Sequence, residues 1–212
     1  MANTADLLVI DNDEANRINR WFAELQNRHN PAYNGRARRA QLRRANGPYG
    51  VLIYEGYHDL AARLSRQLTN ETRILALSIF VSVAAHAAKN TASPPGDKRS
   101  FAAQLGMKTK GSDRPYLSPL RFERLQRAAT PEALYRQLLR AVKIRGEDGV
   151  NLPSLADGIF LWADEWQARQ ENRAPIHPLR RNAVRWACEY AQVSQDPAIE
   201  DQTHTVAPSD KE

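Results

Sequence analysis

Apolar residues recur along most of the chain at the spacings of three and four that place them on one face of a helix. Alternating runs of Val, Ile, Thr and aromatic residues, which favour strands, are nearly absent, while the good helix formers Ala, Leu, Arg, Gln and Glu predominate. The sequence therefore predicts an all-α fold. The spacing is clearest in four residues near the start of the chain: Ile18, Trp21, Phe22 and Leu25.

Capping signals divide this pattern into separate helices. Asp11 and its acidic neighbours can accept from the first backbone amides of a helix, and a basic helix is predicted over 35–45. A third amphipathic helix is predicted over 57–68, and Asn70 can cap a buried fourth helix that includes the apolar stretch 74–88. These helices are predicted to form one bundle.

The second half of the chain repeats these signals. Ser118 and Thr130 each precede a proline, an arrangement typical of a helix start because the serine or threonine caps early amides and proline lacks a donor that would be orphaned anyway. A short helix over 100–106 and a loop over 107–117 come before them. Trp162 and Trp186 lie on the apolar faces of the last two helices and are predicted core residues.

Composition shifts suggest where the domains end. The segment Ser-Pro-Pro-Gly at 93–96 blocks helix continuation, so we predict one helical bundle over residues 1–95 and a second over 96–193. From 194 to 212 the chain has few large apolar residues and five acids against one lysine. Burial cannot offset the entropy of ordering such a segment, and a disordered acidic tail is predicted.

Charge and cysteine content restrict the function classes. The formal net charge of +6 favours an anionic partner, because summed positive charge attracts phosphates. A single cysteine, Cys188, allows no internal disulfide, and the chain does not open on a secretory leader, which predicts a cytoplasmic protein. The apolar stretch 74–88 is shorter than the roughly 20 residues that a membrane span needs.

We find no motif that predicts catalysis. The five histidines are scattered, and the phosphate-loop, dinucleotide-binding and nucleophile-elbow motifs are missing, so we predict no metal site, no cofactor and no enzyme. Cys188 is interpreted as a small buried residue and His86 as a hydrogen-bonded core residue. The acid pair Asp164 and Glu165 is interpreted as part of a solvated helix face.

The arginines are the strongest functional signal. The segment 25–54 contains six arginines and no acid, and side chains three and four residues apart share a helix face. Like charges so placed repel each other unless a bound anion such as phosphate neutralises them. Arginine binds phosphate oxygens through two parallel hydrogen bonds. A solvated face is the alternative. The candidate nucleic-acid-binding residues of this helix are Arg36, Arg39, Arg43 and, beside them, Arg44.

A second basic stretch, 114–145, holds seven arginines and one lysine against two acids and spans two consecutive helices. Its rows are predicted to line a groove, again with a solvated surface as the rival. Aromatic residues are not interleaved for base stacking and no DNA-reading motif is present, so binding should be to the backbone and blind to sequence. The candidates here are Arg121, Arg124 and Arg127 on one helix and Arg136, Arg140 and Lys143 on the next.

Six features, in this order, make the chain resemble the CasB family, the small subunit of the type I-E CRISPR effector Cascade. The most specific is Ser-x-x-Arg-Phe-x-Arg at 118–124, within Leu-Ser-Pro-Leu-Arg-Phe-Glu-Arg-Leu at 117–125. The others are Trp-Phe at 21–22, Arg-Ala-Gln-Leu-Arg-Arg-Ala at 39–45, Ser-Phe-Ala-Ala-Gln-Leu-Gly at 100–106, Leu-Leu-Arg-Ala-Val at 138–142 and Arg-Trp-Ala-Cys-Glu-Tyr at 185–190.

This resemblance implies a non-catalytic subunit made of two small helical bundles. It implies contacts with the backbone and large subunits of Cascade and a head-to-tail dimer with a second copy in the complex. The family's basic surface is expected to hold the displaced non-target strand and steady the R-loop, while guide pairing supplies sequence specificity. The acidic tail and the loop at 89–99 are unlike the family pattern. Two alternatives stay open: a free-standing RNA- or DNA-binding protein, and a structural adaptor that contacts acidic protein surfaces.

Overall fold

The computed structural model describes residues 6–27, 33–92, 96–174 and 177–194. Helices dominate these ranges, and β structure there is limited to two isolated bridges, Asn90 with Val150 and Lys108 with Pro115. The predicted all-α fold is confirmed. The helices are α1 (Asn12–Gln26), α2 (Gly35–Arg44), α3 (Glu55–Arg63), α4 (Glu71–Ala84), α5 (Phe101–Gly106), α6 (Pro119–Gln126), α7 (Pro131–Arg145), α8 (Leu152–Gln170) and α9 (Asn182–Ser194), with 3₁₀ turns at Gly50–Ile53, Ser65–Gln67, Gly146–Asp148 and Pro178–Arg180.

Most helices begin where capping residues predicted. Asp11 and Glu14 form a reciprocal capping box at α1, and the side chain of Asn70 accepts from the amide of Arg73 at the start of α4. Thr130 caps α7 in the same way. At α6, Pro119 opens the helix as predicted, but Ser118 makes no side-chain capping bond.

Two helices end earlier than predicted. The third helix stops at Arg63 and continues as a 3₁₀ turn, so Leu68 lies outside it. The buried fourth helix stops at Ala84, not at residue 88. Between 84 and 89 the sequence contains no glycine or proline to mark the end of the helix. The alanine-rich pattern continues past Ala84, so the sequence predicted a longer helix.

The centre of the fold is the pair formed by α4 and α8. Residues 76–84 of α4 and 152–163 of α8 are buried on every side, and the two helices pack against each other. α9 packs on α5 and crosses α8 at Gly158, where an added Cβ would overlap the ring of Trp186. Glycine is needed there because it removes the atom that would separate the two helices.

The predicted domain boundary does not coincide with a break in the core. Buried apolar residues from Ile10 to Tyr190 belong to one cluster. Beside the boundary, the amide of Thr91 donates to the Val150 carbonyl at 2.9 Å and the Val150 amide to the Lys89 carbonyl at 3.1 Å. Residues 93–95, at the boundary, and 195–212, within the predicted tail, lie outside the described residues. The division into bundles at 1–95 and 96–193 stays a prediction.

A buried carboxylate ties the start of the chain to α8. The side chain of Asp157 is 1% exposed, and its Oδ1 accepts from the backbone amides of Leu8, Val9 and Ile10 at 2.8, 2.6 and 3.1 Å. Its Oδ2 accepts from Arg185 at 3.1 Å. Both carboxylate oxygens are thus hydrogen-bonded, so burial of this charge is compensated.

Two interpretations of surface and core in this region were wrong. Asp164 forms an ion pair with Arg73 at 2.6 Å, and Glu165 accepts from the backbone amide of Asn182 at 2.7 Å, so this acid pair joins α8 to α4 and α9. Burial raises the pKa of Glu165. Cys188, interpreted as buried, is exposed, because the face of α9 that packs on the core is the one with Trp186 and Tyr190.

Candidate nucleic-acid interface

The helix α2 presents a cationic surface without acids of its own. Asn34 caps its first turn by accepting from the amide of Ala37 at 3.0 Å, and Gly35 and Leu42 are its buried residues. The remaining positions are mainly arginine, glutamine and alanine. The guanidinium groups of Arg36, Arg43 and Arg44 belong to exposed residues, as predicted for an interface.

The two central arginines of α2 differ from the rest. Arg39 is half-buried, and its guanidinium donates to the carbonyls of Ala85 and Ala87 at 2.9 and 2.5 Å and to the Gln26 Oε1 at 2.8 Å. Arg38 pairs with Glu55 and Asp59 on α3. Arg39 therefore contributes charge to this surface while its donors are used inside the chain. Its role in nucleic-acid binding stays a prediction.

The helix α7 presents the second cationic row. Arg136, Arg140 and Lys143 are exposed, on the side away from Leu134 and Leu138, which are fully buried. The acid of this helix, Glu132, accepts from the hydroxyl of Tyr49 at 2.5 Å. This hydrogen bond lowers the pKa of Glu132 and raises that of Tyr49, whose burial contributes most, to about 12. A residue just after α2 is therefore fixed to the start of α7.

The helix α6 divides its arginines between two environments. Arg121 and Arg124 are exposed and form no ion pair with a described residue. Arg127 pairs with Glu123 at 2.5 Å and borders a cavity of about 220 Å³ between α6, α8 and α9, where Trp162 and Arg169 are among the lining residues. The predicted groove between α6 and α7 stays a prediction.

Two cationic rows, predicted separately, meet at His86. This residue follows the end of α4 and is half-buried, in contrast to its interpretation as a core residue. Burial lowers its pKa to about 4, and the positive charges of Lys143, Arg43 and Arg39 lower it further in the same direction. α2 and α7 both pack on α4, so the tertiary fold brings positions more than 90 residues apart in sequence to one point.

Ion pairing separates the predicted residues into two groups. Arg39 and Arg127 have partners within the chain, as described above. The others form neither an ion pair nor a side-chain hydrogen bond with any part of the chain that the structure describes. They are Arg36, Arg43, Arg44, Arg121, Arg124, Arg136, Arg140 and Lys143.

Sequence reasoning missed His86 and Tyr49 as parts of this surface. His86 follows an apolar, alanine-rich run, which favoured a core position, and Tyr49 follows the Gly47-Pro48 turn with nothing to connect it to α7. The turn itself was the one available signal, because it stops α2 and redirects the chain. Contact between the two halves is a tertiary property that local patterns do not encode.

Other site chemistry is not evident in the described ranges. There, no group of three or more His, Cys, Asp or Glu side chains is placed to hold a metal ion. None of the described helices is both long and apolar enough to cross a membrane. The arrangement of unpaired guanidinium and ammonium groups is suited to binding phosphate oxygens.

Comparison with known proteins supplies the family. The family model described as CRISPR-associated protein Cse2 matches residues 38–190, a span that contains nine of the ten predicted binding residues and all of helices α3 to α8. Searches of curated proteins and of solved structures found no match. Because the family model covers well over half of the chain, this protein belongs to the CRISPR-associated Cse2 family, the CasB family that its sequence resembles.

Proposed function

We propose that this chain is the non-catalytic small subunit of a type I-E Cascade complex and that it stabilises the R-loop by holding the displaced non-target strand. Membership in the Cse2 family supports the role of Cascade subunit. The chain would contact the backbone and large subunits and associate head to tail with a second copy. Sequence selection would remain with the guide RNA, since base pairing reads the target.

One observation carries this proposal: the exposed cations of α2 and α7 form no ion pair with a described acid, and two of them, Arg43 and Lys143, act electrostatically on His86. Phosphate contacts neutralise such charges and release counterions, which gives affinity without base recognition. R-loop formation exchanges one duplex for another at nearly balanced free energy. A few backbone contacts to the released strand are therefore enough to shift the balance toward the open state.

Charge reversal in assembled Cascade tests this proposal. Arg121→Glu, Arg136→Glu and Arg140→Glu are combined, because all three residues are exposed and none belongs to the core. We expect the complex to assemble normally and to dissociate from a fully matched duplex faster by on the order of tenfold, equivalent to about 1.4 kcal/mol of lost contacts. Dissociation from a target whose non-target strand is already unpaired should change less.

A matched control reverses three other exposed arginines, Arg66, Arg173 and Arg180. Arg66 precedes α4, and Arg173 follows α8, whose second half joins the start of α4 through the Arg73–Asp164 pair. Arg66 and Arg173 thus lie near the opposite end of α4 from His86, about 20 Å away for a helix of 14 residues. This variant changes net charge equally and should dissociate as wild type does.

Each alternative outcome has a distinct meaning. Wild-type dissociation of the first variant from matched duplex would refute the assignment of Arg121, Arg136 and Arg140. Loss of the subunit from the complex would show that these arginines bind protein. A free-standing nucleic-acid-binding protein would purify without the guide RNA assembly when it is co-expressed with its genomic neighbours, and a structural adaptor would keep all its complexes after nuclease treatment.

A further inference from the structure

The residues around His86 form a cationic junction, which we define as His86, Arg39, Arg43 and Lys143. Arg39 donates to the carbonyls of Ala85 and Ala87, the residues on either side of His86, so its guanidinium lies against the histidine backbone. Arg43 is one helical turn further along α2 and on the same face. Lys143 reaches the junction from α7, which packs on α4.

The charged groups that face this junction are almost all positive. α2 contributes Arg39 and Arg43, and α7 contributes Lys143. From α1, Gln26 supplies a neutral amide that accepts from Arg39 and donates to the Ala88 carbonyl. The acid that acts here is Glu147, in the 3₁₀ turn after α7, whose negative charge opposes the lowering of the Arg39 pKa.

This arrangement leaves a half-buried imidazole among cations whose charges are not neutralised by ion pairs in the described chain. Imidazole is the one side chain there that can change its charge near neutral pH. When protonated it donates from both ring nitrogens, and it then becomes a further donor for an anion. A phosphate group carries the charge and the acceptor oxygens that such a site lacks.

We propose that the cationic junction is a phosphate-binding site for the nucleic-acid backbone and that His86 takes up a proton when the phosphate binds. This inference rests on the proposed nucleic-acid-binding function and deepens it. In the free protein, burial and the neighbouring cations hold the pKa of His86 near 4, so the ring is neutral. A bound phosphodiester leaves the burial unchanged but neutralises those cations and places a negative charge beside the ring, so it raises the pKa of His86.

The sign of the pH effect follows from linkage. Because the bound state has the higher pKa, it binds more protons than the free state between the two values, and binding strengthens as pH falls through this window. If the bound pKa is about 6, affinity should increase about tenfold from pH 7 to pH 5. The increase should be absent when position 86 cannot take up a proton.

The test measures binding of a short single-stranded thymidine oligonucleotide to the full chain at constant ionic strength between about pH 5 and about pH 8. His86→Gln should lose the pH-dependent gain, so that its affinity at about pH 5 is no higher than its own affinity at about pH 7. The control is His58→Gln, which alters an exposed histidine on α3 and should keep the wild-type pH profile. An unchanged pH profile in His86→Gln would overturn the inference.

A second measurement does not depend on a variant folding normally. The imidazole proton resonances of wild-type protein, titrated by NMR, should give a pKa near 4 for His86 without ligand and a raised value with the oligonucleotide. If the oligonucleotide binds and the pKa of His86 does not change, this inference is wrong but the proposed function is unaffected. If no oligonucleotide binds, the result counts against both. Inorganic phosphate at the same ionic strength should shift the resonance less; an equal shift would mean a site for small phosphate ions and overturn the assignment to nucleic acid.

Discussion

Arginines serve opposite purposes in two regions of this molecule. On the anchored side, formed by the N-terminal segment with α8 and α9, arginines join elements: Arg73 pairs with Asp164, and Arg185 pairs with the buried Asp157. On the α2–α7 surface, Arg43 and Arg136 are exposed and form no ion pair with an acid of the described chain. The same residue type is part of the scaffold in one region and available for a ligand in the other.

The difference teaches that arginine density alone does not identify a binding surface. What separates the regions is the position in space of a few acids. α8 carries Asp157, Asp164 and Glu165 toward neighbouring elements, whereas α2 has no acid and the single acid of α7, Glu132, is bonded to Tyr49. An arginine without an acid within reach remains free to bind phosphate.

The largest expected effect is on the anchored side. Asp157→Ala leaves three backbone amides without their acceptor and removes one of the two carboxylates paired with Arg185, so we expect the free energy of unfolding to fall by about 3 to 5 kcal/mol. Urea denaturation measures this loss. Arg136→Ala, on the other surface, should change stability by less than about 0.5 kcal/mol. Equal stability of the two variants would remove the distinction between the regions.

A smaller effect should separate two arginines of the same helix. Arg39 donates to three acceptors inside the chain, so Arg39→Ala should lower the free energy of unfolding by about 1 to 3 kcal/mol. Arg43→Ala should cost less than about 0.5 kcal/mol, because this exposed side chain has no such acceptors. Thermal unfolding of both variants checks the difference. If Arg39→Ala is as stable as Arg43→Ala, the internal hydrogen bonds of Arg39 do not stabilise the fold, and this distinction between the two arginines is wrong.

The smallest effect concerns salt. The isolated protein should bind DNA weakly and without sequence preference, and its affinity should fall steeply between about 50 and 200 mM salt. Arg43→Ala and Lys143→Ala should each reduce the slope of log affinity against log salt by about 0.7 to 0.9, one lost phosphate contact. Arg127→Ala should change it less, since Arg127 pairs with Glu123. Fluorescence anisotropy across a salt series measures the slopes, and equal wild-type binding at both salt concentrations would contradict the model.

Local signals predicted the helices well and their ends less well. Asp11, Asn70 and Thr130 cap helices where the sequence placed them, because capping depends on residues within one turn. The end of α4 at Ala84 was missed, since no residue nearby marks it. The buried state of Trp162 and Trp186 followed from helical spacing, but the exposure of Cys188 did not, because its neighbours in sequence are apolar.

The candidate site divides in the same way. The sequence located the basic rows and showed which side of α7 is polar, through the spacing of Arg136 and Arg140 against Leu134 and Leu138. It could not show that Arg39 is used internally, since its acceptors, the carbonyls of Ala85 and Ala87, lie more than 40 residues away. The sequence also could not predict that Lys143 lies near His86, because the two residues are far apart along the chain.

The amino-acid sequence by itself determined the helical class, the apolar face of each helix, the excess of positive charge and the family resemblance, because each depends on residue type and short-range spacing. Tertiary structure alone decided which charges are neutralised. Ion pairs and buried hydrogen bonds require two groups within a few ångströms, and the partners here come from helices distant in sequence, such as Asp157 with Arg185 and Leu8. The exposed cations of α2 and α7 are those that this packing left without an ion pair among the described residues.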